Sequence, residues 1–151
     1  MAAAVQVGLD EASKAALQRA IDGLTQTRPL MRSIASLAES SAVNRFRSQV
    51  GPDGKPWKPS IRAQLENKET LRKSGVLLAS HSSSATDDEA VVSNNRVYAG
   101  IHQFGGTIRQ QLASGSVREI SMPARPFMGI DDDDRVEITR LVAAFVSQAA
   151  R

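Results

Sequence analysis

A chain of 151 residues, 41 % hydrophobic and 23 % charged, fits a single globular domain whose core is modest, because aromatics make up only 4 %. It has no cysteine, which excludes disulfides, thiolate nucleophiles and cysteine-ligated metals. The net charge of +3 is unevenly spread: residues 28–75 carry ten Lys/Arg against four Asp/Glu, whereas residues 131–151 carry five acids against three arginines, a polarity suited to an acidic partner or to stacking of copies.

The start, MAAAVQVGLDEASK, lacks the basic and long apolar stretches of a signal peptide, and no apolar run is long enough to span a bilayer. Synthesis and use in the cytoplasm, with no membrane partner, are the expectation. Leu9, Ala12, Ala16, Leu17, Ala20, Ile21 and Leu24 recur at steps of three and four, and Asp10 is placed to cap a helix that ends near Gly23. A second helix starts at Pro29 and turns Leu30, Ile34, Leu37, Ala38, Ala42 and Phe46 inward, leaving Arg32, Glu39, Arg45 and Arg47 outside. The short link between the two helices allows a hairpin or a bend.

GPDGKPWKP, residues 51–59, is dense in turn formers and holds the single tryptophan, Trp57. Two readings of Trp57 stand side by side: an exposed anchor for a partner, or a lid over the core. Residues 60–74 read as a weak helix or an arm. The whole of 51–75 offers little apolar surface to offset its ordering, so it is expected to be mobile until Trp57 docks on a neighbour. Residues 76–95 read as a hairpin around TDDE, with His81 as an exposed strand residue. VYAGIHQFG reads as a short helix stopped by Gly105, and TIRQQL–ASGS–VREISM as a second hairpin. After the strap PARPF, the run DDDDRVEITRLVAAFVSQAAR forms an amphipathic helix with Val136, Leu141, Val142, Phe145, Val146 and Ala149 inside. The order of elements is α+β: N-terminal helices, a small antiparallel sheet of hairpins, and a C-terminal helix packed on that sheet, all in one domain spanning 1–151.

Chemistry finds little to work with. His102 has no evident nucleophile or orienting partner, the four aspartates at 131–134 point in different directions on a helix and cannot converge on one ion, and FGGTI lacks the lysine of a phosphate loop. No catalytic residue, metal site or cofactor is expected. The basic segment permits loose phosphate contact, but no nucleic-acid-reading signature accompanies it.

Three motifs in order, PDGKPW (52–57), YAGIHQFGG (98–106) and MPARPFMGI (122–130), followed by an Asp-led helix, resemble the phage virion morphogenesis family of tail-completion or neck proteins, including its Mu-like group. Such proteins enter the first strand with Thr-Gly-Leu, where this chain reads RKSGVLLASHSSS, so the start of that strand is left open. The resemblance implies a structural protein of the virion at the head–tail joint, made in the host cytoplasm and closing as a homomeric, most simply hexameric, ring against connector, neck and tail tube proteins. The rival reading is a small phage hydrolase or nucleic-acid-binding protein. The interface candidates are Trp57, Tyr98, His102, Phe104, Arg125 and Phe127, with Phe127 either inserted in a partner pocket or plain core and Arg125 paired with a carboxylate. Arg45, Arg47, Lys55 and Lys58 are candidates to face an acidic neighbour or, non-specifically, DNA in the channel.

Overall fold

The computed structural model describes residue 8 and residues 10–151; Leu9, expected on the stripe of the first helix, lies outside them. Helix α1 (Glu11–Thr25) begins where the Asp10 carboxylate accepts a bond from the Ser13 N–H at 2.7 Å. Helix α2 (Arg28–Ser48) carries Pro29 in its first turn, where the missing N–H costs nothing. It ends at Gln49, in the left-handed region at φ 60°. Two short helices follow, α3 (Ile61–Glu66), capped by Ser60, and α4 (Val76–Ala79). Strands β1 (His81–Ala85) and β2 (Ala90–Asn94) pair antiparallel around the expected TDDE turn. Helix α5 (Ala99–Phe104) stops at Gly105. Strands β3 (Gly106–Gln111) and β4 (Val117–Met122) form the second hairpin. Helix α6 (Asp132–Ala149) starts in a reciprocal cap, Asp131 accepting from the Asp134 N–H and Asp134 from the Asp131 N–H.

The fold is α+β, with two corrections to its expected layout. The strands make two separate two-stranded sheets rather than one. Helix α6 packs on α1 and α2, not on a sheet, because α2 occupies the face of the β1–β2 hairpin and contacts both of its strands. Consequently only Leu141, Phe145 and Ala149 of the expected inward positions are half-buried, and Val136, Val142 and Val146 stay exposed. Helices α1 and α2 do not pair as a hairpin; α1 leans on the end of α6, and a methyl group at Gly23 would stand 3.0 Å from the Ala149 Cβ.

The core is small and aromatic. Phe46 and Phe127 are fully buried, their rings 5.3 Å apart, and Trp57 meets Phe46 edge-on at 5.4 Å. Leu77 and Ala99 complete the cluster. The open start of the first strand is resolved: residues 76–79 turn as a helix, and the strand begins at His81. That places His81 against Phe46 and Phe127 at 5.5 and 5.3 Å, with Nδ1 2.9 Å from the Leu78 carbonyl, so it is a core-edge residue rather than an exposed one.

The segment 51–75 is fastened to the body. The Trp57 N–H donates to the Gln49 carbonyl at 2.8 Å, and the Gln49 side chain both accepts from the Thr70 N–H at 2.7 Å and donates to the Thr70 carbonyl at 3.2 Å. What the segment lacks in apolar area it recovers in satisfied backbone groups.

Candidate functional site

The strap from Pro123 to Ile130 has no regular secondary structure, so its backbone groups need partners from elsewhere, and three parts of the chain supply them. From the turn before α3, Trp57 Nε1 donates to the Pro126 carbonyl at 2.9 Å. From α5, the Gln103 carboxamide accepts from the Phe127 and Met128 N–H groups, both at 3.0 Å, and donates to the Met128 carbonyl at 2.8 Å. The His102 carbonyl accepts from the Arg125 N–H at 2.7 Å. From α2, Arg45 Nη1 donates to the Phe127 and Gly129 carbonyls at 3.1 and 2.8 Å. The other arm of the same guanidinium, Nη2, reaches Asp131 and Asp134, each at 2.8 Å. Ser41 donates to the second Asp134 oxygen. Burial pushes the Asp131 carboxyl up, but the Asp134 N–H, Arg45 and their charge outweigh it and hold the group below its ordinary value of 3.8.

These contacts relocate three predicted site residues. Trp57, 5 % exposed, is the lid of its own core and not an anchor awaiting a neighbour, since its ring and its N–H are both already used. Phe127 is core. Arg45, expected on the outer face and as a channel-facing cation, is 5 % exposed and neutralised by two carboxylates within the chain. Arg47, Lys55 and Lys58 do lie at the surface. Gln103 and Asp134 were not singled out from the sequence; Gln103 stands inside the HQFGG motif, and its two-way use of one carboxamide gave no periodic or charge signal.

Beside the strap opens a groove of about 570 Å³ between the 58–77 segment, α5 and β4. Its walls are mostly apolar, with Leu71, Leu77, Tyr98, Ile120 and Met122 among them. Arg125 forms part of its floor, 4 % exposed, with Nε donating to the Lys58 carbonyl at 2.7 Å. Among the described residues no carboxylate lies within ion-pairing distance of it, so the expected pairing of Arg125 is not made within the chain. Burial lowers the pKa of its guanidinium. His102 faces Tyr98 with ring centroids 6.1 Å apart, and its buried Nδ1 has no hydrogen-bond partner. Burial first, and the Arg125 charge second, push the imidazole below its ordinary 6.5. Around the groove, large apolar side chains are left in solvent: Ile61 and Leu65 on α3, Val97 before α5, and Phe104 at its end, exposed by 78, 81, 99 and 79 %. All six residues of β3 are exposed. Apolar side chains as exposed as these suit a contact surface.

Among the described residues no group of three His, Asp or Glu side chains is placed to hold a metal ion, and no helix is long and apolar enough to cross a membrane.

Residues 9–147 match the profile of the phage virion morphogenesis family. The chain is 36 % identical over 124 residues to "Mu-like prophage FluMu G protein 2" of Haemophilus influenzae, covering 82 % of this chain and 80 % of that one. It is 31 % identical over 147 residues to "Putative capsid assembly protein G" of Escherichia phage Mu, covering 89 % and 91 %. No solved structure matches at a significant level.

Proposed function

The chain belongs to the phage virion morphogenesis family, a structural or assembly protein of a Mu-like phage or prophage, and from that premise we propose that it closes as a homomeric ring at the head–tail joint. The observation that carries the proposal is the set of large apolar side chains left in solvent, Ile61, Leu65, Val97 and Phe104 foremost, together with the apolar-walled groove. A subunit that worked alone would be destabilised in solubility by that surface, and burial between subunits removes it. Sixfold closure matches the symmetry of a tail. Its neighbours along the axis are then connector or neck proteins on one side and the tail tube on the other, with Arg47, Lys55 and Lys58 free to meet an acidic partner or channel DNA.

Imaging of particles carrying a tagged chain tests the placement, with density expected as a ring between head and tail. Density in the capsid shell, or a chain that is present only before packaging, would instead support a role in capsid assembly, as the name of the phage Mu relative has it. A hydrolase reading predicts cleavage of DNA or peptidoglycan by the purified chain that disappears in His102→Ala; no turnover is expected.

A further inference from the structure

The groove beside Arg125 has a matching shape elsewhere in the same chain. Helix α1 is fifteen residues long and buries none of them. A free helix of that length is marginal in water and takes its stability from packing one face. Ala20 and Gly23 lean on α6, but Leu17, Ile21 and Leu24 are 52, 46 and 41 % exposed. Their spacing of four and three residues puts them on one stripe, the pattern by which an amphipathic helix fills an apolar groove. Asp22 follows Ile21 with only the Gln18 amide as its side-chain partner, while Glu11 and Lys14 on that flank are paired with each other. The groove carries the opposite sign: Lys58, Lys73 and Arg125 are among its lining residues and no carboxylate is.

The two surfaces sit at opposite ends of the molecule. The C-terminal half of α1 adjoins the start of α2, at the turn where Arg28 meets Asp87. The groove adjoins the end of α2, where Phe46 packs on Trp57 and Leu77. With 21 residues between those ends, α2 holds them about 30 Å apart. A single chain cannot bring such surfaces together without unfolding, whereas adjacent copies can, head to tail.

We infer that helix α1 of one subunit lies in the groove of the next, with Leu17, Ile21 and Leu24 against its apolar walls and Asp22 directed toward the Lys73 and Arg125 side. The inference rests on the ring reading above and specifies its interface. A heterologous contact of this kind propagates in one direction and closes when the rotation between copies permits. It also gives Arg125 the carboxylate that its own chain does not supply.

The absence of cysteine makes a clean test available. Gln18→Cys, beside the α1 stripe, and Ile61→Cys, on the exposed rim of the groove, are both surface changes. Particles assembled with the doubly substituted chain are treated with a short bismaleimide. A ladder of multimers is expected, with dimers only when the two single variants are mixed, and no cross-link from either alone. Cross-linking of Gln18→Cys with itself would mean that α1 stripes face one another, and would overturn the groove. Particles that contain the chain yet give no 18–61 product overturn the interface while leaving the virion role standing. A chain missing from particles overturns both. In solution, a labelled peptide of residues 10–26 should bind the full-length chain saturably, and at least about tenfold more weakly when it carries Ile21→Glu; equal binding of the two peptides refutes the docking independently of any particle.

Discussion

Replacing Arg45 with methionine removes a cation that holds three parts of the fold together: α2, the strap and the first turn of α6. In the native chain its fork makes two bonds to carbonyls and two to carboxylates. Asp134, 4 % exposed, would be left with Ser41 and the Asp131 N–H as its only partners. Breaking a buried pair from one side costs about 3–5 kcal/mol, because the other charge stays behind without compensation. A typical domain has only about 5–15 kcal/mol in total, so the variant should be folded but much weakened. At about 2–4 °C per kcal/mol for a chain of this size, the melting temperature should fall by about 6–20 °C. Urea denaturation gives the free-energy loss directly. Adding Asp134→Asn to Arg45→Met should cost less than the two changes summed, by about 0.5–3 kcal/mol, since the charge left behind is removed with it. A loss below about 1 kcal/mol for Arg45→Met, or strict additivity in the pair, would refute the assignment of Arg45 to an internal network. A cation serving channel DNA alone would show that refuting result.

Trp57→Ala should cost about 3–5 kcal/mol in urea denaturation of the isolated chain; a variant that unfolds like the parent and fails only in assembly would restore Trp57 to the interface. Gly105→Ala should lower stability by at least about 1–3 kcal/mol, read as a thermal shift, because φ is 72° and a methyl group would stand 2.8 Å from the Ala124 nitrogen and 2.9 Å from the Met122 carbonyl oxygen. His102 is harder to protonate in the folded chain than in the unfolded one. Stability from this group should therefore be complete above pH 6.5 and decline as pH falls from there toward the lowered folded value. Urea midpoints between pH 8 and pH 5 should drop less for His102→Gln than for the parent; an identical pH slope in both would show that the imidazole does not titrate differently on folding.

The parts of this fold that were legible in the sequence are those settled within a few residues. Asp10 and Asp131 mark helix starts through bonds spanning one turn, Pro29 does so through its fixed φ and missing N–H, and the glycine-containing turn between β3 and β4 sets its own hairpin. The misread parts depend on partners far along the chain. Trp57 is buried because Pro126 and Phe46 come to meet it, and the 51–75 segment is fixed by one glutamine, Gln49, reaching Thr70. Arg45 sits where a solvent-facing stripe is expected, and only its separation of 86 and 89 residues from Asp131 and Asp134 explains its burial. Residues 76–79 form a four-residue apolar run, too short for periodicity to separate a helical turn from a strand. The apolar positions of α6 split between buried and exposed because α2, rather than a broad sheet, is its neighbour, and one helix covers a narrower stripe than a sheet would.

The motifs that carry the family resemblance are for the most part what ties the strap into the core. PDGKPW delivers Trp57 to the strap, YAGIHQFGG delivers Gln103 and the His102 carbonyl, and MPARPFMGI is the strap itself. Residues of the three motifs bind one another, so changing one leaves buried donors or acceptors unpaired in the others. Tyr98 and Phe104 are the exceptions, turned outward at either end of α5. Further exposed apolar surface lies on elements outside the motifs, among them the α1 stripe, α3 and the β3–β4 hairpin. The hydrogen bonds that tie the interior and the apolar side chains left in solvent thus belong largely to different residues of one short chain, and the three motifs report the first set.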